Sequence, residues 1–419
     1  MKKRFDVFSG WQKTVGGILF LALAVSAPSI SAEKAKKALR ANFAIMGVAS
    51  MGWVARIPEI KDANGLNNAQ FGLVLLASSL GSIVGAQLTG RLVHTFGSRK
   101  VLFVSSILLP AGLCAIGFST QPIFLALSLF LMGFGYSSTD VALNTQAVAI
   151  EKILNARSMS SFHAMWSVGA FFTTVFGGSI ARVVSVQTNL AAVSLVCVIA
   201  FLLCVYRLLP AHLDGHKGEE ESAAKIPLFG KSVTSLWFIG FGVLGALIAE
   251  GSASDWGALL LRDEMGIGKG VNASAYASFA LAMITARFLG DRALDYFGPA
   301  RLVRLCGYYG ALGWATSIAI AVPLSHSNPL LALIIINGGF VIAGLAIGPM
   351  FPAFILAASA IPGIAPSVSS ARAFVIGLSG FFIGPSIIGF LAEGTSISVA
   401  MAFPILSLLV AGFLSRVIK

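Results

Sequence analysis

From residue 39 onward the chain is a succession of twelve long apolar stretches separated by short polar turns, at about 39–57, 69–89, 101–118, 122–149, 158–181, 186–207, 234–255, 271–289, 302–323, 329–357, 367–391 and 396–415. Each is long enough to cross a bilayer as a helix, which takes about 20 apolar residues. Of the 419 residues, 57% are apolar and 11% charged. A water-facing body of this size needs about 25% charged residues, so the bilayer is the solvent. An all-α membrane protein of twelve spanning helices is therefore expected.

The net charge of +12 does not point to nucleic acid, because the cations sit a few at a time between apolar stretches. Their distribution gives orientation instead. Twenty of the 29 Lys and Arg residues fall on one side if the connections after the even-numbered spans, both bundle ends and residues 33–40 are cytoplasmic. The opposite connections hold Arg56, Lys61, Arg182, Arg262 and Lys269, and the first residues hold Lys2, Lys3, Arg4 and Lys13. A multi-pass protein of the inner (cell) membrane with both bundle ends cytoplasmic is expected. Segment 1–38 reads as a basic, apolar leader-like or surface helix, or as a start upstream of the true one. Cleavage there would deliver the basic residues 33–40 to the wrong side.

Residues 210–233 carry Asp214, Lys217, Glu219, Glu220, Glu221, Lys225 and Lys231 without apolar period. They read as a cytoplasmic linker between two six-helix bundles, 39–209 and 234–419. Cys114, Cys197, Cys204 and Cys306 lie in apolar runs without metal-ligand spacing, so neither a metal nor a cofactor is expected. The sequences of nucleotide-binding loops, zinc proteases and serine hydrolases are missing, which argues against an enzyme or an ATP-driven pump. A receptor without a signalling segment is a remote alternative.

The connection after the second span runs from Gly90 through His94 and Gly97 to Arg99 and Lys100. The connection after the eighth holds Asp291, Arg292, Asp295, Gly298 and Arg301. Gly97 and Gly298 occupy equivalent places in the two halves, and parallel repeats of this kind mark transporters. Both copies resemble the loop motif of the major facilitator superfamily, in which an acid precedes the second Gly by three residues. The second copy keeps that acid at Asp295, and the first has His94 instead. Within the superfamily the chain looks like the bacterial sugar-permease-like branch that includes the fucose permeases. That likeness rests on Trp53-x-x-Arg56-x-Pro58, on Asp140 with Asn144, on His163 with Ser167 and Gly169, and on Glu250-Gly251-Ser252 with Asp255-Trp256.

The resemblance implies two bundles rocking about a midplane site, with uptake of a small polar solute, a sugar or related metabolite, coupled to protons, and a monomer. Export of amphipathic compounds is the alternative. An ionisable residue inside a span is costly and usually faces a cavity or a partner. Asp140, which the likeness marks as a proton carrier, is thus the coupling carboxylate, and His163 a relay to it. Trp53, Asn144, Trp166, Glu250 and Asn337 are expected to touch substrate. Arg56, as a partner of Glu250, is expected at an outer gate. Gly90, Gly97, Arg99, Asp295, Gly298, Arg287 and Arg372 are expected at inner gates. Gly81/Gly85 and Gly380/Gly384 have GxxxG spacing, which predicts close backbone approach. They are expected where the second and eleventh spans slide past each other.

Overall fold

The computed structural model describes residues 31–156, 158–215, 233–362, 364 and 366–418. Most of the leader-like segment and of the linker lie outside these residues. The helices are α1 (Ala32–Met51), α2 (Ile57–Ala63), α3 (Asn68–Phe96), α4 (Ser98–Phe118), α5 (Pro122–Leu154), α6 (Met159–Ile180), α7 (Val186–Val205) and α8 (Thr234–Leu259). After them come α9 (Ser274–Phe297), α10 (Pro299–Leu324), α11 (Pro329–Ser359), α12 (Pro366–Leu378), α13 (Gly380–Gly394), α14 (Ile397–Ala400) and α15 (Ala402–Leu414). The first, eleventh and twelfth spans are each built from two of these helices, so fifteen elements make the twelve spans.

Among the described residues, eleven helices are long and apolar enough to cross a membrane. The fifth span, α6, falls below that level because Ser161, His163, Trp166 and Ser167 occupy its first half. Large apolar side chains such as Phe172, Leu203, Phe288, Leu312 and Leu330 point outward, as a surface that meets lipid requires.

The first span begins earlier than its apolar pattern, at Ala32. The Ser31 side chain accepts from the Lys34 amide and caps the helix there, and the Lys-rich turn that follows is long-chained and helix-compatible. The eleventh span breaks at Ser379, between α12 and α13. Pro385, inside α13, has no N–H to offer the carbonyl four residues back. That carbonyl, Phe381 O, accepts instead from Ser79 Oγ of α3 at 3.1 Å. The bond freed by the proline is remade across the molecule.

Contacts between helices repeat from one half to the other. In the first half α3 packs on α5, α1 on α6, α4 on α7 and α4 on α5; in the second α9 packs on α11, α8 on α12 and α13, α10 on α15 and α10 on α11. The halves meet along α3 with α13 and α6 with α9, and also where α2 touches α8.

The expected glycine pairs lie elsewhere. Gly81 and Gly85 face the backbone of Phe130 and Phe134 on α5, while Gly380 and Gly384 face Leu244 and Ile248 on α8, so both pairs pack inside a half. The close approach between α3 and α13 uses Gly72 and Gly389 instead. A Cβ on Gly72 would lie 2.6 Å from Pro385 O, and one on Gly389 would lie 2.6 Å from Asn68 O.

The first loop motif has a carboxylate after all. Gly97 takes φ 86°, which a Cβ disfavours, and α4 begins at the next residue. Asp214, 1% exposed, accepts from the Ser98 amide at 2.7 Å and from Ser98 Oγ at 2.6 Å. Gln146 of α5 donates to Ser98 Oγ at 2.8 Å and to Leu209 O at 2.9 Å. An acid at a helix N-terminus satisfies orphan N–H groups and the positive end of the dipole. The residue in the motif position, His94, is exposed, and the capping acid arrives from the start of the segment expected to be the linker. Asp214→Ala strands a buried N–H and hydroxyl, so stability should fall by about 1–3 kcal/mol. A detergent melting curve reads this, and an unchanged midpoint would show that the cap is dispensable.

Candidate functional site

The middle of α5 presents Tyr136, Asp140 and Asn144 at four-residue spacing, and therefore on one face. All three are half-buried, whereas Thr139, Ala142 and Leu143 between them are buried. Asn144 Nδ2 donates to the Asp140 carbonyl at 2.9 Å, within its own helix. No ion pair forms at the Asp140 carboxylate among the described residues.

Opposite, Arg287 of α9 joins the two halves. Its Nη1 donates to Ser167 Oγ of α6 at 2.6 Å, and its Nη2 lies 3.6 Å from Glu250 Oε1 of α8. The Glu250 side chain is 12% exposed and that of Arg287 25%. Guanidinium suits this junction because its several fixed donors can serve two partners at once. Tyr136 stands in the field of Asp140, Glu250, Arg287 and Tyr276 together, so residues of α5, α8 and α9 converge here. His163, one turn before Ser167, lies edge-on to Phe43 with ring centroids 5.2 Å apart. It feels the Arg287 charge and is exposed.

Other expected residues are engaged elsewhere. Arg56 does not meet Glu250. It donates to Glu59 at 3.1 Å, Asn189 Oδ1 at 3.3 Å and Val184 O at 3.0 Å, which ties the end of the first span to the start of the sixth. Both ends of the Asn337 amide are used, since Ser278 donates to Oδ1 at 3.2 Å and Nδ2 donates to Ser274 at 3.1 Å and to Leu333 O at 2.9 Å. Trp53 is buried beside the turn that ends α1. Trp166 is half-buried and its indole N–H is a buried donor without a partner.

Among the inner-gate positions, Gly90 is exposed, and Arg99 donates to Tyr206 O at 2.7 Å while stacking on the Tyr206 ring. Asp295 is exposed and Gly298 turns the chain at φ 71°. Arg372 is half-buried on α12. Tyr136 and Tyr276 are the additions from the structure. The spacing Tyr136–Asp140–Asn144 was the available signal for the first. Tyr276 had none, being one aromatic among many near a span end.

Residues 58–68 and 262–272, at the outer end by the charge expectation, form a closed seam. Arg262 donates to Asp62 at 2.6 Å and to Pro58 O at 2.9 Å. Arg182 donates to Lys269 O at 3.2 Å, and Glu393 caps α3 through the Asn68 amide at 2.9 Å. Just inside, Phe71 of α3 meets Trp256 of α8 with centroids 5.7 Å apart.

Two matching helical halves with a shared charged cluster at mid-depth, in a chain of membrane spans, define a multi-pass membrane transporter. Residues 38–385 match the profile of the Major Facilitator Superfamily, and the chain belongs to that superfamily. Its members are transporters and not enzymes. An uncharacterised MFS-type transporter of Yersinia pestis is 32% identical over 380 residues, which are 90% of this chain and 94% of that one. Among solved structures, a bacterial homologue of the human lysosomal transporter Spinster, inward-facing and unoccupied, superposes with TM-score 0.72 at 14% identity, covering 92% of this chain and 97% of that one. The nucleoside transporter NupG gives TM-score 0.70 at 15% identity, covering 92% and 100%. At these identities the solved structures speak for the fold alone.

Proposed function

We propose that this protein is a secondary active transporter that takes up a small polar solute, a sugar or related metabolite, together with protons, as the sugar-permease-like branch would do. The observation that carries the reading is the Arg287 junction. One cation bonds Ser167 of one half and faces Glu250 of the other at 3.6 Å, with Asp140 nearby and without a cation of its own. Burying a charge without a counter-charge is costly, so Asp140 is a natural seat for a proton that travels with the solute. The halves rock about this level, and the closed outer seam corresponds to a state loaded or emptied from the other side.

Purified protein in proteoliposomes tests this. An acid-outside pH gradient should drive accumulation of the labelled solute, and a protonophore should collapse it to equilibration. Accumulation that ignores the protonophore would remove the proton from the mechanism.

A further inference from the structure

The charged groups at mid-depth do not balance. Asp140, Glu250 and Asp255 are acids, and of the three Glu250 is the one that faces Arg287. Glu250 has Arg287, and Asp140 is reserved for the proton in the reading above. Asp255 is left with the Ser254 hydroxyl, which lies 3.0 Å from its Oδ1, and no cation pairs with it among the described residues. Ser254 is four residues after Glu250 and so shares that face of α8, and its hydroxyl also lies 2.9 Å from Gly251 O in its own helix.

Tyr276 lies across from them, at the start of α9. It is eleven residues before Arg287, which is close to three helical turns and returns it to the Arg287 face. Its side chain is 1% exposed, and its hydroxyl is a buried polar atom without a hydrogen-bond partner. The hydroxyl stands in the field of Glu250, Arg287 and Asp255. An orphan buried hydroxyl costs about 1–3 kcal/mol, and a bound solute would relieve it. Just beyond, Trp256 against Phe71 closes the roof of the site.

We propose that Asp255, Tyr276 and Glu250 form a subsite for hydrogen-bond donors, so that the solute is non-anionic and presents hydroxyl or ammonium groups to this roof. The proposal rests on the uptake reading above and gives it a substrate class. Asp255 accepts from the solute, and the Tyr276 hydroxyl both donates and accepts. A carboxylate placed here would set its oxygens against those of Asp255 and Glu250, with no cation left to receive it. The guanidinium that would neutralise it is already engaged by Ser167 and Glu250.

The test is a ligand-dependent melting screen on purified protein. It compares neutral sugars and polyols, amino sugars with small primary amines, and carboxylates including uronic acids. Stabilisation is expected from the first two groups. Affinity for those compounds should fall at least tenfold in Asp255→Asn and in Tyr276→Phe, with ligand-free melting close to wild type to show an intact fold. Stabilisation confined to carboxylates overturns the proposal. So does the absence of any neutral or cationic hit, or unchanged affinity in both variants. Protonophore-sensitive accumulation of a carboxylate would overturn the subsite while leaving coupled uptake in place. Protonophore-insensitive movement of a neutral solute that needs Asp255 would do the reverse.

Discussion

Asp140→Asn should abolish accumulation of solute against its gradient, bringing the internal level down to about the external one, while exchange of labelled for unlabelled solute continues. The substitution keeps the shape of the side chain and removes its ability to take up and release a proton. The Asn144 amide bonds the Asp140 backbone carbonyl, a contact the substitution leaves in place, so the local helix is untouched. Asp140 forms no ion pair among the described residues, so neutralising it strands no cation, which distinguishes it from Glu250. Exchange needs the protein to cycle loaded between its two faces, and a fixed neutral Asn imitates the protonated state for that journey. Net uptake needs the empty return, with the proton gone, and Asn cannot supply it. The measurement is a pair of assays on the same proteoliposomes, gradient-driven uptake and counterflow. Equal loss of both, or of neither, would deny Asp140 the coupling role.

The second large effect separates two kinds of glycine. Gly389→Val should leave the protein folded but hinder closure of the outer seam. Gly169→Val should prevent folding. At Gly389 the new side chain meets Asn68 O and Gly72 of the other half, and the halves can relieve that clash by moving apart. Overpacking costs about 1–3 kcal/mol. Falling on one state only, this shifts the balance between states roughly 5- to 150-fold. At Gly169 the side chain collides with Ala44 O on α1, inside one half, where no rocking motion relieves it. In a background without Cys114, Cys197, Cys204 and Cys306, a Ser386→Cys label site tests this, because Ser386 bonds Gly72 O across the seam. An impermeant maleimide added from outside should react faster when Gly389 is Val. Unchanged labelling, or loss of folding equal to that of Gly169→Val, would contradict the assignment.

The sequence carried the spans, because a bilayer demands long apolar stretches and little else of similar length looks like them. The contact between the second and eleventh spans came from the superfamily resemblance, and the glycine pairs assigned to it lie elsewhere. GxxxG spacing reports that some backbone approaches closely without saying which helix it meets, and Gly81, Gly85, Gly380 and Gly384 meet partners in their own halves. Gly72 and Gly389 each make a contact about one residue deep, which leaves no periodic trace. That Pro385 frees a carbonyl follows from its chemistry alone, since it has no N–H; that Ser79 claims this carbonyl does not.

The polar residues follow the same division. Asp140 and Glu250 stand out because charge inside a span is rare. Which of their neighbours are already spent depends on rotamers and helix crossings. Arg56 goes to Glu59 and Asn189 on its own side, and Asn337 goes to two serines of α9. Asp214 replaces the motif acid from more than a hundred residues away, a substitution that no local pattern announces.

That substitution makes the two copies of the loop unequal. In the first half Asp214, Ser98 and Gln146 stitch three spans together at the inner end, with the carboxylate fully buried. In the second half the retained acid, Asp295, stands exposed without a hydrogen bond or ion pair among the described residues. The two copies of the repeat are therefore an anchored one and a loose one. Amide hydrogen exchange should find the start of α4 slow and the start of α10 fast, in the same sample at the same time. The flexing needed to admit or release a solute from the inner side would then fall mainly on the second half, with the first serving as the frame against which it moves.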